Sequence, residues 1–149
     1  MIGGLQSPTI APLRSTGGGD PLRPALRALA RRLAERGLPA HTLQGKLLRP
    51  RLALAMVPSS ARGRIDERFW SGALAIEMAH EASLLHDDVI DQAAERRGRP
   101  TLAATKGTAA ALVTGDHYLT ASYRLAVESG SFEFVTRFTE AVERTVAGE

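Results

Sequence analysis

From Ile76 to Asp91 the chain contains neither proline nor glycine, and a run of that kind ending in clustered acids narrows the fold to one built on a long helix. At 100° per residue, with Asp87 as zero, Asp88 stands at about 100°, Asp91 at about 40° and His80 at about 20°. Three carboxylates and one imidazole therefore share a face. Asp87 and Asp91, one turn apart, repel by a few tenths of a kcal/mol, so a cation is needed beside them. A solvated acidic helix end is the plain alternative. However, Leu84, Leu85, Val89 and Ile90 bracket the acids, which places them along the wall of a core. Oxygen-only ligands on a helix suit Mg²⁺, which keeps several waters and is completed by substrate phosphates.

The neighbouring segments read as further helices. Asp66 is the expected N-cap of the central helix, which carries Phe69, Trp70, Ala73, Leu74 and Glu77. The acids then lie at its C-terminal end, where the helix dipole is negative and the demand for a cation grows. Upstream, Asp20-Pro21 is an N-cap and first-position pair, and Leu22, Leu26, Leu29 and Leu33 follow at helical spacing up to Gly37. Arg27, Arg31, Arg32 and Arg36 form its solvated face. A second helix is expected from Thr42 to Val57, with Pro50 as a kink or a late start. Pro58-Ser59-Ser60 stops it, and a polar loop runs to Ile65.

Downstream, Gln92 to Ala104 reads as a polar loop able to fold back over the acids. Residues 105–128 read as a helix marked by Leu112, Val113, Leu119 and Leu125, with Gly115 as a position of close approach. Ser129-Gly130-Ser131 breaks it. The last helix, from Phe132, sets Phe134, Val135, Phe138, Val142 and Val146 on one side and is still running where the sequence stops. No stretch alternates like a strand and no hairpin turn signal is present. The expectation is an all-α bundle of about five helices over residues 20–149, preceded by a flexible Gly/Pro/Ser-rich arm at residues 1–19.

At 149 residues and 44% hydrophobic content, the chain suffices for one domain with a core. The absence of cysteine rules out disulfides and thiolate metal sites and fits a reducing cytoplasm. A net charge of +3 carried almost wholly by arginine favours an anionic partner. Aromatics are too few, and too far from basic runs, for a nucleic-acid binder, which leaves anionic small molecules. No apolar run reaches the roughly 18 residues of a membrane span, and no signal-peptide pattern opens the chain.

Lys46 and Arg49, in Gly45-Lys46-Leu47-Leu48-Arg49-Pro50, are helical neighbours, and His80, Arg96 and Arg97 add donors near the acids. Arginine forks, a lysine point charge and Mg²⁺ bridging carboxylates to phosphates together suit a diphosphate. In this order the segments resemble the trans-prenyl diphosphate synthases, the polyprenyl synthetase family. Residues 45–50 match its G-K-x-x-R-P motif, His80 to Asp91 its H-x-x-S-L-x-H-D-D-x-x-D motif and Arg96 to Thr101 its R-R-G-x-P-T motif, while Gly115-Asp116 resembles a later signature.

The resemblance implies the N-terminal half of the isoprenoid synthase fold. It implies that Asp87, Asp88 and Asp91 form the first aspartate-rich, catalytic motif, with Asp87 and Asp91 holding Mg²⁺. It further implies that Arg96 contacts the allylic diphosphate, and that Lys46, Arg49, His80 and Arg97 bind isopentenyl diphosphate. Ala82 and Ser83, one turn before the first aspartate, would set product length, and because neither is bulky the implied product is geranylgeranyl diphosphate or longer unless a partner or the helix at Tyr118 to Tyr123 closes the tunnel. His86, off the acidic centre, reads as structural, and Arg99 as a plain loop charge. Gln44 and Leu47 depart from the family's usual glycine and basic residue, and the family's second aspartate-rich motif is missing. The implied function is therefore a subunit of a split synthase that condenses isopentenyl diphosphate with an allylic diphosphate beside a second chain carrying that motif. The alternative is a non-catalytic subunit that regulates a full-length synthase.

Overall fold

The computed structural model describes Asp20, residues 22–35 and residues 47–148. Its helices are α1 (Leu22–Ala34), α2 (Leu48–Met56), α3 (Glu67–Ile90), α4 (Leu102–Lys106), α5 (Thr108–Glu128) and α6 (Phe132–Ala147), with a 3-10 turn at Ser59–Arg64 between α2 and α3. The expected arm and residues 36–46, Lys46 among them, lie outside the described residues.

The Asp66 carboxylate starts α3 by accepting the N–H groups of Arg68 (3.0 Å) and Phe69 (3.1 Å). From there the helix runs about 36 Å at 1.5 Å per residue. It packs chiefly on α5, and around that pair are laid α1, α2, α4 and α6. Leu74, Ala75, Met78, Ala82 and Leu85 of α3 meet Tyr118, Ala121, Leu125 and Ala126 of α5 in one core, closed by Leu22 and Leu29 of α1 and Phe138 of α6. Asp20 accepts the Leu22 N–H (3.1 Å), and its other oxygen takes Arg51 of α2 (2.7 Å), so one side chain caps α1 and ties it to α2.

Pro50, expected as a kink or a late start, is a buried residue in the first turn of α2, where a missing N–H costs nothing. It marks the late start, since α2 begins at Leu48. Two boundaries differ from expectation. The stretch expected as one helix from residue 105 is divided at Gly107 (φ 88) into α4 and α5, giving six α-helices among the described residues where about five were expected. Finally, α6 is closed at Ala147, with Gly148 in the left-handed conformation of a C-cap.

The expected irregular loop after α3 contains a small antiparallel ladder, β1 (Glu95–Arg96) with β2 (Arg99–Pro100), pairing Glu95 with Pro100 and Arg96 with Arg99. The two residues between them, Arg97 (φ 54) and Gly98 (φ 75), both take positive φ, as a two-residue hairpin turn of the tightest kind requires. Arg-Gly is not the usual dipeptide for such a turn, so the sequence carries no standard hairpin signal here. Thr101 closes the base of the hairpin onto the turn that follows α3. Its hydroxyl donates to the Ala93 carbonyl (2.7 Å) and accepts the Ala104 N–H (3.0 Å), which caps α4. No described helix is long and apolar enough to cross a membrane.

Candidate active site

A cavity of about 840 Å³ lies against α3, with walls from Arg49 of α2, Leu119 of α5 and Phe134, Phe138 and Val142 of α6. The α3 wall is the stripe Ile76, His80, Ser83, Asp87 and Ile90, residues that recur at helical spacing on the face read from sequence. Ala82 also lines the space and is buried, and the Ser83 hydroxyl is turned back onto the His80 carbonyl (2.8 Å). A volume of this size accommodates an elongated apolar ligand. Phe134 and Phe138, stacked with centroids 5.9 Å apart, form its far side. Of the α5 tyrosines expected near a tunnel end, Tyr118 is buried in the core and Tyr123 stands edge-on to Phe138, 5.8 Å away.

Asp87 and Asp91 are exposed at the end of α3, and neither carboxylate makes a hydrogen bond or ion pair to any described residue. Two unpaired oxygen donors one turn apart fit a hard divalent cation that takes its remaining ligands from water and phosphate. Among the described residues no group of three or more metal-ligating side chains is assembled, so the pair holds only part of such an ion's shell. Asp88 faces elsewhere. Its side chain is 7% exposed and accepts from Arg96 Nε at 2.6 Å, which joins the hairpin to α3 and leaves the terminal nitrogens of Arg96 for other acceptors.

Arg49, Arg96 and Arg97 converge on His80 from α2 and the hairpin. Burial and these three guanidiniums hold the His80 imidazole below its ordinary pKa, against the pull of Asp87. That shift favours the neutral imidazole, which can donate a hydrogen bond without carrying charge. His86 lines the cavity beside Asp87, with Nε2 3.3 Å from the Asp116 carboxylate. Gly115 makes this possible, since a Cβ there would stand 2.6 Å from His86 Cδ2.

Sequence reasoning passed over two residues. Glu77 and Glu81, one turn apart on α3, are 4% and 9% exposed. They share a stripe with Asp88, and the signal was legible as carboxylates at positions 77, 81 and 88, within about 40° of one another on a helix. Burial pushes the pKa of both upward, with the arginines opposing it and Glu77 pushing Glu81 further.

The polyprenyl synthetase family model matches residues 32–149. The (2E,6E)-farnesyl diphosphate synthase of Mycobacterium tuberculosis is 38% identical over 97 residues, 65% of this chain and 26% of that enzyme. Heptaprenyl diphosphate synthase component 2 of Bacillus subtilis is 41% identical over 111 residues, 72% of this chain and 28% of its own length. A polyprenyl synthase from Caulobacter crescentus, solved with calcium and isoprenyl diphosphate, superposes with a TM-score of 0.64 at 30% identity, covering 85% of this chain and 39% of that one. The chain thus spans well under half the length of these relatives, yet the match takes in the helices that build the cavity and the segment that carries its acids. On that match, and on an all-α fold shared with a solved member, the chain belongs to the polyprenyl synthetase family.

Proposed function

We propose that the chain is one subunit of a heteromeric prenyl diphosphate synthase, adding isopentenyl diphosphate to an allylic diphosphate. The observation that carries this reading is Asp87 on the wall of an apolar cavity that Arg49 and His80 also line, with Asp91 one turn further on and neither acid paired to any described residue. Asp87 and Asp91 hold Mg²⁺, which when bound stabilises the charge on the departing diphosphate. Arg96, fixed through Nε by Asp88, offers its terminal nitrogens to the allylic diphosphate. Arg49, Arg97, neutral His80 and Lys46 take the diphosphate of isopentenyl diphosphate. The allylic C–O bond breaks, with its electron pair leaving on diphosphate. The isopentenyl double bond then attacks the allylic cation, and loss of a proton restores an alkene. Preorganised donors around the leaving group supply the largest share of the stabilisation.

A partner chain with a second aspartate-rich motif completes the site in residues 20–149, a helical half-domain. Supporting this are a relative named as one component of a synthase and the exposed stripe Leu48, Leu52 and Met56 on α2. Absence of cysteine supports a cytoplasmic setting. Small Ala82 and Ser83 on the cavity wall support a product of geranylgeranyl length or longer.

The test is an assay with Mg²⁺ and both substrates. The chain alone is expected to be inactive and the reconstituted complex active, with Asp87→Ala or Asp91→Ala abolishing turnover while assembly persists. Ala82→Phe should shorten the product. Robust turnover by the single chain removes the partner from the reading. Undiminished turnover of a full-length synthase bound to the Asp87→Ala chain assigns the chain a regulatory role instead.

A further inference from the structure

Arg49 has an unusual setting for an anion-binding residue. It stands in the first turn of α2, where unpaired backbone N–H groups already make the helix end positive, and α2 carries no acid in that turn to hold it. Its guanidinium lines the cavity, and the one described carboxylate within salt-bridge distance is Glu77 on α3, with Nη1 to Oε2 at 3.9 Å. Glu77 does not line the cavity. It lies behind Arg49, 4% exposed, and its Oε2 is buried without a hydrogen-bond partner among the described residues. A buried carboxylate oxygen left in that state is costly, and a small movement of the guanidinium toward it relieves the cost. Glu81, buried one turn further on, adds negative potential that acts on Arg49, Arg96 and Arg97 together.

We infer that Glu77 is a positioning residue that aims Arg49 into the cavity from behind, so that one face of the guanidinium is braced by a buried carboxylate and the other is presented to a diphosphate. This rests on the diphosphate reading of the cavity. An arginine held only by its own flexible chain would lose several rotatable bonds on binding, whereas a braced one has lost them beforehand. Burial pushes the Glu77 carboxyl upward, and Arg49 opposes this through both its guanidinium and its backbone N–H, so the same carboxylate steadies the start of α2.

The experiment is titration of the purified full chain with inorganic pyrophosphate in EDTA, where only the cationic side of the cavity is read, by calorimetry. Wild type is expected to bind. Glu77→Gln, which keeps the shape and removes the charge, is expected to weaken binding about tenfold, the scale of one hydrogen bond to a charged group. Glu77→Asp should recover part of that loss. Arg49→Gln should weaken binding at least as much, and the double variant Glu77→Gln/Arg49→Gln should bind no more weakly than Arg49→Gln alone, because Glu77 acts through Arg49. Unchanged affinity in Glu77→Gln, tighter binding, or losses that add in the double variant each overturn the inference. If Glu77→Gln does not fold, Glu77→Asp in the same cycle carries the test. Failure of the wild-type chain to bind pyrophosphate removes the diphosphate reading and this inference with it, whereas wild-type binding with an indifferent Glu77→Gln removes only the inference.

Discussion

Replacing Gly115 by alanine places a methyl group where the His86 ring now lies, 2.6 Å from Cδ2 and 3.2 Å from Cε1. No carbon pair tolerates the shorter distance, so the imidazole must leave the α5 backbone and give up its 3.3 Å approach to Asp116. Overpacking of this kind costs about 1–3 kcal/mol. Alanine in place of glycine inside a helix returns about 1 kcal/mol. The net expectation is a loss of roughly 0–2 kcal/mol, or up to about 8 °C in Tm for a chain of this size. The background decides the reasoning. With His86→Ala already in place the methyl has nothing to strike, and the same Gly115→Ala change should become stabilising by about 1 kcal/mol. Urea denaturation followed by far-ultraviolet circular dichroism on the four proteins of the cycle measures this. An equal effect of Gly115→Ala in both backgrounds would refute the claim that glycine is there to admit His86.

Arg96→Met should destabilise the chain by about 2 kcal/mol, below the roughly 3–5 of a fully buried pair because Arg96 is 35% exposed, since it leaves the buried Asp88 carboxylate unpaired. Adding Asp88→Asn should restore most of the loss in the same denaturation assay. For Glu81, burial raises the folded pKa above the ordinary glutamate value of 4.5. Its contribution to stability is full below that value and lost as pH rises through the folded pKa. Glu81→Gln should accordingly melt above wild type at pH 7, with the gap closing as pH falls toward 4.5. Asp20 behaves oppositely, because the hydrogen bond from Arg51 holds its pKa below 3.8. Asp20→Ala should cost about 1 kcal/mol at neutral pH, and the difference from wild type should vanish as pH falls through the depressed pKa.

Sequence alone determined the elements that depend on local rules. Asp66 as N-cap, the helix carrying the acids, the break at Ser129-Gly130-Ser131 and the shared face of His80 and Asp87 all follow from helical periodicity and capping chemistry, which act within a few residues. The close approach at Gly115 was legible as a position, though not its occupant. Tertiary structure decided what depends on which helix stands opposite. Asp88 and Asp87 are adjacent in sequence, yet one is buried against Arg96 and the other lines the cavity, because a step of about 100° carries the chain from one packed face to another. The Arg97-Gly98 hairpin is held by Thr101 on the Ala93 carbonyl and by Arg96 on Asp88 of α3, contacts no turn dipeptide announces. Glu77 and Glu81 read as ordinary helix glutamates until α2 and the hairpin covered them, since burial of a charge belongs to the neighbours that exclude water from it.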